Sequence, residues 1–390
     1  MPNLSIVIPT RNRGYCLGSA LQSALNQAGS HDYEVIVSDN CSDDNTRDVV
    51  AQFKSGRLHY VKSPKPLSMP DSWEFAVGNA SGEWVTVLAD DDVLSSRALT
   101  IIDSAARLNQ SEVISWRCAT YYLPSAAGTR SNSLLYYPFS KMATVHDSRE
   151  GLKGLFRFAA EPRLPKMLNS VASKEALARI RDRLGRIFLP PAPDYTSCVA
   201  MLWSVARYVN IDTPLTTSGN GSQNPPSSPE AYDVFIREFG AGFRYSLPPV
   251  PELGIFNDVA ESILSVKNAL DSELEGIELN EFEYARMVRR YIRKAHSKGF
   301  RVQTARKALK AYLSSWPKSE RSRLGRTAAL DSTADLIAGG IRRALFLSPF
   351  LTKLASTFSN RKIVTGAAAG FRDILGAQHF LDRLIDEPAR

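Results

Sequence analysis

Short runs of β-branched and aromatic residues alternate with stretches of helical character over the first 120 positions of the 390-residue chain. Four runs are strand-like and cover residues 4–8, 33–37, 58–61 and 83–88. About 10 to 20 residues separate them, which is the length of a crossover helix. The alternation predicts βαβ units and a mixed, mostly parallel sheet with flanking helices, in which ligands bind beyond the carboxyl ends of the strands.

Polar, turn-forming residues follow three of these runs. They are Pro9, Thr10, Arg11, Asn12 and Arg13 after the first run, Ser38, Asp39 and Asn40 after the second, and Asp90, Asp91 and Asp92 after the fourth. Because parallel strands end at the same edge of a sheet, the three clusters are expected to lie close together.

The run Asp90-Asp91-Asp92 places three carboxylates at the end of an apolar strand. Like charges about 4 Å apart repel one another unless a cation or protons intervene. Mg²⁺ and Mn²⁺ suit hard oxygen ligands, take one or two carboxylates and leave positions for phosphate oxygens. The run therefore predicts a divalent-metal site that serves a diphosphate. A solvated acidic turn before the following helix is the alternative.

Downstream of this region, residues 112–137 are strand-like, and residues 149–160, 173–186 and 195–209 predict helices. Three prolines precede Asp194, which stands at the N-cap position of the third helix. Residues 213–229 are rich in Ser, Gly, Asn and Pro, and this composition predicts a long loop or lid.

Beyond residue 278, apolar positions recur at helical spacing among basic side chains. The stripes contain Met287, Val288, Tyr291, Ile292 and Ala295, then Val302, Ala305, Leu309, Tyr312 and Leu313, then Ile337, Ile341 and Leu345, and finally Phe371, Ile374, Leu375 and Leu381. Through Asn280 the chain has 26 Lys and Arg against 31 Asp and Glu, and afterwards 22 against 9. A basic region of +13 behind a body of −5 predicts peripheral contact with an anionic partner such as a phospholipid surface.

Several classes of protein are disfavoured. The four scattered cysteines form neither a disulfide framework nor a zinc motif, and the five histidines lack metal-ligand spacing. No Walker loop, dinucleotide fingerprint or nucleophile elbow occurs. A signal peptide and an apolar run of about 20 residues are also missing, so a cytoplasmic protein is expected, at the inner face of the cell membrane if the basic region binds lipid.

Three motifs stand in register along the first hundred residues. They read SIVIPTRNR at 5–13, VIVSDNCSDDNT at 35–46 and ASGEWVTVLADDD at 80–92. Together they closely resemble family 2 glycosyltransferases, strongly over residues 3–110 and weakly over 110–240. The resemblance implies a Rossmann-like α/β domain of the GT-A fold at 1–240, with a nucleotide-binding half at 1–110 and an acceptor half at 110–240. A connecting segment at 241–280 and a basic helical region at 281–390 would follow.

The resemblance also implies roles for the polar clusters. Pro9, Thr10, Arg11 and Arg13 would line the nucleotide pocket, and Asp39 would accept a hydrogen bond from the base, typically uracil. An Asx-turn that holds the loop is the alternative for Asp39. In the aspartate run, Asp90 would contact the ribose, Asp91 would bind Mn²⁺ or Mg²⁺, and Asp92 would be a second ligand or an orienting group.

Two positions depart from the pattern of the family. Ala89 stands where an Asp is usual, and Trp73-Glu74 stands where an Asn is frequent. The identity of the donor is therefore not implied by the motifs alone.

Members of this family invert the anomeric carbon by direct displacement, which requires a carboxylate base near the acceptor hydroxyl. Asp194 is the candidate base, although helix capping would explain its placement equally well. The predicted activity is transfer of a sugar from a nucleoside diphosphate sugar, with UDP favoured, to a hydroxyl of a glycan or lipid-linked acceptor. The alternatives are a nucleotidyltransferase, which should carry a glycine-rich loop after its first strand, and a basic scaffold or nucleic-acid-binding protein. Oligomeric state is left open.

Overall fold

The computed structural model describes residues 4–124, 131–158, 163–220, 246–247, 255–297, 302–327, 331 and 361–387. The strands are β1 (Leu4–Thr10), β2 (Tyr33–Asp39), β3 (Leu58–Lys62), β4 (Trp84–Val87), β5 (Val93–Leu94), β6 (Val113–Tyr122), β7 (Ser133–Tyr136), β8 (Ala143–Asp147), β9 (Ser170–Ser173), β10 (Arg207–Asn220) and β11 (Lys362–Thr365). The α-helices are α1 (Gly14–Leu25), α2 (Thr46–Ala51), α3 (Met69–Gly78), α4 (Ala98–Asn109), α5 (Ser148–Phe156), α6 (Lys174–Leu184), α7 (Pro193–Ser204), α8 (Ile255–Leu270), α9 (Glu281–Ser297), α10 (Gln303–Tyr312), α11 (Gly366–Ala369) and α12 (Ile374–Asp386). Residues 318–327 are also helical.

The first half of the sheet is parallel and has the strand order β3-β2-β1-β4. β1 is in register with β2 from Leu4 opposite Tyr33 to Thr10 opposite Asp39. Its central residues are buried on both faces, as expected of a parallel strand covered by helices. The strand order reverses between β1 and β4, which is the point at which open α/β sheets bind their ligands.

The second half of the sheet is mixed. β9 pairs antiparallel with both β4 and β6, and β6 pairs antiparallel with β7 and parallel with β10. The predicted α/β class, with a mixed, mostly parallel sheet and flanking helices, is confirmed.

The long loop predicted from residue 213 is wrong over its first part. Residues 213–220 belong to β10, which pairs with β5 and β6. The small polar side chains are accommodated because they find partners in the interior. Thr216 is fully buried and accepts a hydrogen bond of 2.8 Å from the indole Nε1 of Trp116. Residues 221–229 of the predicted loop lie outside the described residues.

The segment 241–280, predicted as a connection, contains a helix of the core. Ile263, Val266 and Leu270 of α8 are fully buried in one hydrophobic cluster with side chains of α5, α6 and α7. A helix that buries one whole face against three others contributes to the domain rather than linking it to another.

The predicted helices α9 and α10 are present, with the stripe residues Val288, Ile292 and Leu309 buried in a hydrophobic cluster of their own. The predicted C-terminal helical region is therefore present. It also contains β11, which extends the main sheet by pairing antiparallel with β7, and α12, which packs against β10. The stripe at 337–345 lies outside the described residues. Within the described ranges, no helix combines the length and the apolar character needed to span a bilayer.

Candidate active site at the carboxyl edge of the sheet

The end of β1 and the end of β4 meet through charged side chains. The Thr10 hydroxyl donates a 2.8 Å hydrogen bond to Oδ2 of Asp90. The Arg13 guanidinium forms an ion pair with both neighbouring carboxylates, with Nε 2.9 Å from Oδ1 of Asp90 and Nη2 2.5 Å from Oδ2 of Asp91. The predicted convergence of these two clusters is therefore what the structure shows. Pro9 and Arg11 are half-buried beside them.

Burial dominates the ionisation of this cluster. It raises the pKa of Asp90 to about 7, even though the Arg13 guanidinium opposes that shift. Burial, with the adjacent Asp91 carboxylate, also raises the pKa of Asp92 well above its ordinary value. A cation that binds beside such crowded carboxylates stabilises their ionised forms.

The Asp92 side chain is hydrogen-bonded to β10. Its Oδ1 accepts a hydrogen bond of 3.0 Å from the backbone N–H of Gly219, and its Oδ2 accepts one of 3.3 Å from the Ser218 hydroxyl. A Cβ atom at Gly219 would lie only 2.3 Å from the carbonyl oxygen of Asp91. Only glycine allows this approach of β10 to the aspartate turn. The contacts match the orienting role predicted as one alternative for Asp92.

The carboxylates of the Asp90–Asp92 run are the available ligands for a metal ion. Among the described residues, no three His, Cys, Asp or Glu side chains surround a common point, so an all-protein cage is not formed there. Mg²⁺ and Mn²⁺ do not need one, since they take one or two carboxylates and complete their shells with phosphate oxygens and water. Asp91 is the partly exposed carboxylate of the run, with 15% of its side chain accessible. The residues present therefore fit a metal shared with a phosphate-bearing ligand.

Asp39, at the end of β2, is 1% exposed. Its Oδ1 accepts a hydrogen bond of 2.7 Å from the backbone N–H of Ser42, and its Oδ2 accepts one from the Tyr60 hydroxyl. The hydrogen bond from Ser42 is the loop-holding contact of an Asx-turn, which is the alternative role predicted for Asp39. Each carboxylate oxygen keeps a second lone pair, so the contact with a base stays a prediction. Tyr60, on β3, belongs to no motif, and only the β2–β3 pairing reveals it.

The loops after β1 and β2 are tied together. The Asn12 side-chain oxygen accepts a hydrogen bond from the backbone N–H of Asp43, and the backbone N–H of Asn12 donates one to the Ser42 hydroxyl, both at 2.9 Å. The backbone N–H of Gly14, the first residue of α1, donates to Asp44 at 2.9 Å. These bonds hold Arg13 and the Asp39 loop in one arrangement.

Asp194 does not cap α7. Ala192 is the N-cap residue and Pro193 the first helical residue, so Asp194 is the second. The capping prediction was wrong because proline is favoured at the first helical position, which moves the cap one residue upstream of it. Burial raises the pKa of the Asp194 carboxyl, and the nearby Lys166 ammonium partly offsets this effect.

Lys166 was not identified from the sequence, and it interacts electrostatically with Asp194. Its Nζ lies 4.6 Å from the ring centroid of Tyr195. Cys118, on β6, interacts electrostatically with both Asp92 and Lys166. Lys166 and Cys118 are thus each within electrostatic range of one of the two predicted groups of carboxylates.

Glu74, one of the two departures from the family pattern, supports the loop that leads to Asp194. Its Oε2 accepts hydrogen bonds from the backbone N–H groups of Ile187, at 2.8 Å, and Phe188, at 3.1 Å. Its Oε1 accepts one from Nε of Arg181 at 3.0 Å. The neighbouring Trp73 packs edge-on against Phe188, with the ring centroids 5.4 Å apart. The departure thus has a structural explanation outside the nucleotide site.

The three sequence motifs that meet at this edge of the sheet also match a known protein family. Residues 5–132, which contain all three motifs, match the sequence profile described as glycosyl transferase family 2. Over that stretch the chain is similar to family 2 glycosyltransferases. The predicted recognition is thereby confirmed.

Two bacterial proteins that are similar to part of this chain are named as glycosyltransferases. A Campylobacter jejuni GalNAc(5)-diNAcBac-PP-undecaprenol beta-1,3-glucosyltransferase is 39% identical over 105 residues, covering 26% of this chain and 34% of that protein. A Staphylococcus aureus poly(ribitol-phosphate) beta-N-acetylglucosaminyltransferase, TarP, is 33% identical over 120 residues, covering 29% and 36%. The chain thus spans about a third of the length of these relatives.

A solved structure of S. aureus TarS 1–349 in complex with UDP-GlcNAc also aligns with this chain. The TM-score is 0.45 at 16% sequence identity, with 75% of this chain and 81% of the other covered.

Proposed function

We propose that the protein is an inverting glycosyltransferase that moves a sugar from a nucleoside diphosphate sugar to a hydroxyl acceptor. One observation carries the proposal: Thr10 and Arg13 at the end of β1 contact Asp90 and Asp91 at the end of β4, at the reversal of strand order and inside the stretch that matches the family. Cationic, hydroxyl and carboxylate groups at this point suit a ligand with a phosphate, a ribose and a metal ion.

The donor is assigned to the site between β1, β2 and β4. Pro9, Thr10, Arg11 and Arg13 line the nucleotide pocket, and Asp90 contacts the ribose. Asp39 reads the base through its remaining lone pairs, with UDP as the favoured nucleotide. Support comes from the burial of Asp39 and from its rigid hold by Ser42 and Tyr60, because a fixed buried acceptor discriminates strongly between base edges.

Asp91 is the residue that would hold Mn²⁺ or Mg²⁺, with Asp92 as the orienting group or second ligand. When bound, the metal would neutralise charge that develops on the departing diphosphate. Arg13 contributes a fixed positive charge to the same point, since its guanidinium already lies 2.5 Å from the Asp91 carboxylate. Arg13 therefore positions the carboxylates and favours an anionic leaving group.

Asp194 is the proposed base. Its carboxylate takes the proton of the acceptor hydroxyl as that oxygen forms a bond to the anomeric carbon and the bond to the diphosphate breaks. Its raised pKa makes it a better proton acceptor than an ordinary aspartate, and the Lys166 ammonium favours its ionised form. The electrostatic interactions of Lys166 with Asp194 and Cys118, and of Cys118 with Asp92, support a shared active site.

The acceptor class is proposed from the two relatives, whose names refer to a diphosphoundecaprenol-linked glycan and to poly(ribitol-phosphate). A glycan or lipid-linked sugar acceptor at the cytoplasmic face of the membrane would be consistent with both. The basic balance after residue 280 supports peripheral contact with anionic lipid there.

A nucleotidyltransferase is less well supported. The glycine nearest the end of β1 is Gly14, and its backbone N–H is used by the Asp44 carboxylate. A phosphate-cradling loop needs such groups free to meet the ligand.

A donor screen tests the proposal. Uridine, guanosine and thymidine diphosphate sugars are compared for thermal stabilisation with and without Mn²⁺, and a ligand at about 100 times its dissociation constant should add about 2.7 kcal/mol. Stabilisation by a uridine diphosphate sugar, greater with Mn²⁺, is expected. If no nucleotide sugar stabilises the protein with or without the metal, the donor assignment is wrong.

A further inference from the structure

A cavity of about 730 Å³ lies between α9, α10 and the helical residues 318–327, outside the active site. This volume is within the range of roughly 300 to 1,000 Å³ that is typical of small-ligand sites. Its lining residues are Arg289, Ile292, Arg293, His296, Arg306, Leu309, Lys310, Leu313, Ser314, Arg321 and Gly325. We name this feature the C-terminal basic cavity.

The charged residues described in the lining of the C-terminal basic cavity are all basic. Among the described residues of its lining, five are Arg or Lys, a sixth is His296, and none is Asp or Glu. Within the ranges that the structure describes, the side chains of Arg289, Arg306, Lys310 and Arg321 have no carboxylate partner. Cations concentrated without counter-charge create a positive potential that attracts an anion.

The same helices also show how a basic residue is neutralised elsewhere. Arg286, one turn before Arg289 on α9, forms an ion pair with Asp331 at 2.8 Å and with Glu283 at 3.2 Å. Some basic side chains of these helices are therefore paired with carboxylates and are not simply exposed to solvent. Arg293, which also lines the cavity, interacts electrostatically with Asp331, whereas Arg289 and Arg306 have no carboxylate partner within the described ranges.

The shape and chemistry of the cavity indicate what it binds. Guanidinium groups bind phosphate oxygens in pairs of parallel hydrogen bonds, so several arginines around one space suit a phosphate. Ile292, Leu309 and Leu313 provide apolar surface in the same lining. The part of the lining that the structure describes has no Phe, Tyr or Trp, so it offers a nucleotide base no ring on which to stack. A phosphate attached to an apolar group fits better than a nucleotide.

We propose that the C-terminal basic cavity binds the phosphate of an anionic lipid headgroup. Arg289 on α9 and Arg306 on α10 approach the phosphate from two sides, while the apolar lining contacts the lipid next to the headgroup. This site would hold the protein at a membrane through a specific pocket rather than through its overall charge. It is separate from the sugar-transfer site, and binding to it does not require the transferase assignment to be correct.

The test compares two matched double variants of the full chain. Arg289→Gln with Arg306→Gln removes two cavity charges, one on each helix. Lys294→Gln with Lys307→Gln removes two exposed charges from the same helices, at positions that do not line the cavity. Each protein is sedimented with phosphatidylglycerol or phosphatidylcholine vesicles at low salt, with and without free inorganic diphosphate. Circular dichroism and melting temperature show that both variants are folded.

The proposal predicts that wild type and the lysine variant bind phosphatidylglycerol vesicles and that free diphosphate releases them. The cavity variant should bind at least about tenfold more weakly than the lysine variant, although both have lost the same charge. Equal weakening of the two variants would show diffuse charge attraction and overturn the proposal. Binding of free diphosphate without vesicle binding would overturn the lipid assignment, as would the absence of both.

Discussion

Asp382 accepts a hydrogen bond of 2.7 Å from the hydroxyl of Ser95, although 287 positions separate the two residues. Its other oxygen accepts hydrogen bonds from the backbone N–H of Ser96, at 3.1 Å, and from the Ser96 hydroxyl, at 2.8 Å. Asp382 is 7% exposed and lies on α12, while Ser95 comes three residues after Asp92. The last described helix therefore holds the turn that follows the aspartate run.

Replacing Asp382 should destabilise the domain. Asp382→Ala leaves the buried hydroxyl of Ser95 and the half-buried donors of Ser96 without their acceptor, which costs about 1 to 3 kcal/mol of the free energy of unfolding. Urea denaturation measures this change. Asp386→Ala is the control, since its ion pair with Arg97 is 42% to 49% exposed and should contribute about 0 to 1 kcal/mol. Equal effects of the two variants would count against the anchoring role of Asp382.

Asp91→Ala should abolish sugar transfer and metal-dependent nucleotide binding while the protein remains folded. The substitution removes the partly exposed carboxylate of the run and no core volume. Transfer assays and Mn²⁺-dependent thermal shifts measure the two effects. Asp103→Ala serves as the control, since it removes a carboxylate of similar exposure, 18%, that lies on α4 and pairs with Arg107. Turnover at the wild-type rate in Asp91→Ala would refute the metal assignment.

Asp39→Ala should raise the Michaelis constant for the donor more than it lowers turnover at saturating donor, because the proposed contact is with the base and not with the reacting atoms. Steady-state kinetics with varied donor separate the two parameters. Tyr60→Phe is the comparison, because it removes one hydrogen bond to Asp39 and keeps the carboxylate. The base contact is wrong if Asp39→Ala leaves the donor Michaelis constant unchanged.

Asp194→Asn should reduce turnover by about 10² to 10⁴ with donor binding retained, as expected for loss of a general base. Burial raises the pKa of Asp194, so the ionised, active form is favoured only above a pKa higher than that of an ordinary aspartate. Turnover of the wild type should therefore fall as the pH decreases through that raised pKa. A variant with nearly full activity and the same pH profile would show that Asp194 is structural.

Glu74→Ala should lower turnover more than it changes the donor Michaelis constant. The substitution leaves the N–H groups of Ile187 and Phe188 without their acceptor, so the loop before Asp194 loses its position. Glu74→Gln retains an acceptor oxygen and should recover part of the activity. Steady-state kinetics and the melting temperature are measured for both. A Glu74→Ala protein that loses stability but retains normal turnover would exclude the positioning role.

Deleting the basic region would be a poor test of whether that region binds a membrane. A chain that ends near Glu278 would lack β11, which pairs with β7, and α12, which holds Ser95 through Asp382. Its failure to bind a membrane would then reflect damage to the catalytic domain. Paired substitutions on α9 and α10 avoid this problem because they leave the sheet intact.

The sequence by itself determined the parallel half of the sheet and the polar clusters at its edge. Alternating strand and helix patterns depend on neighbouring residues, and the ends of strands are marked by Pro9, Asp39 and Asp90 where the apolar runs stop. Once strands are parallel, their ends must share an edge. The contact of Arg13 with Asp90 and Asp91 therefore follows from local patterns and one rule of topology.

Only the tertiary structure decided which distant segments complete the site. Lys166 beside Asp194, Glu74 beneath the loop at 187–188 and Asp382 against Ser95 join residues that are 28 to 287 positions apart, and none carries a local signal. Short polar side chains such as those of β10 are ambiguous in sequence because they suit a loop as well as a buried strand. Their state depends on whether packing supplies hydrogen-bond partners, as Trp116 does for Thr216. Burial and pairing across the fold settle such choices, because an unpaired buried polar group costs more free energy than local preference can recover.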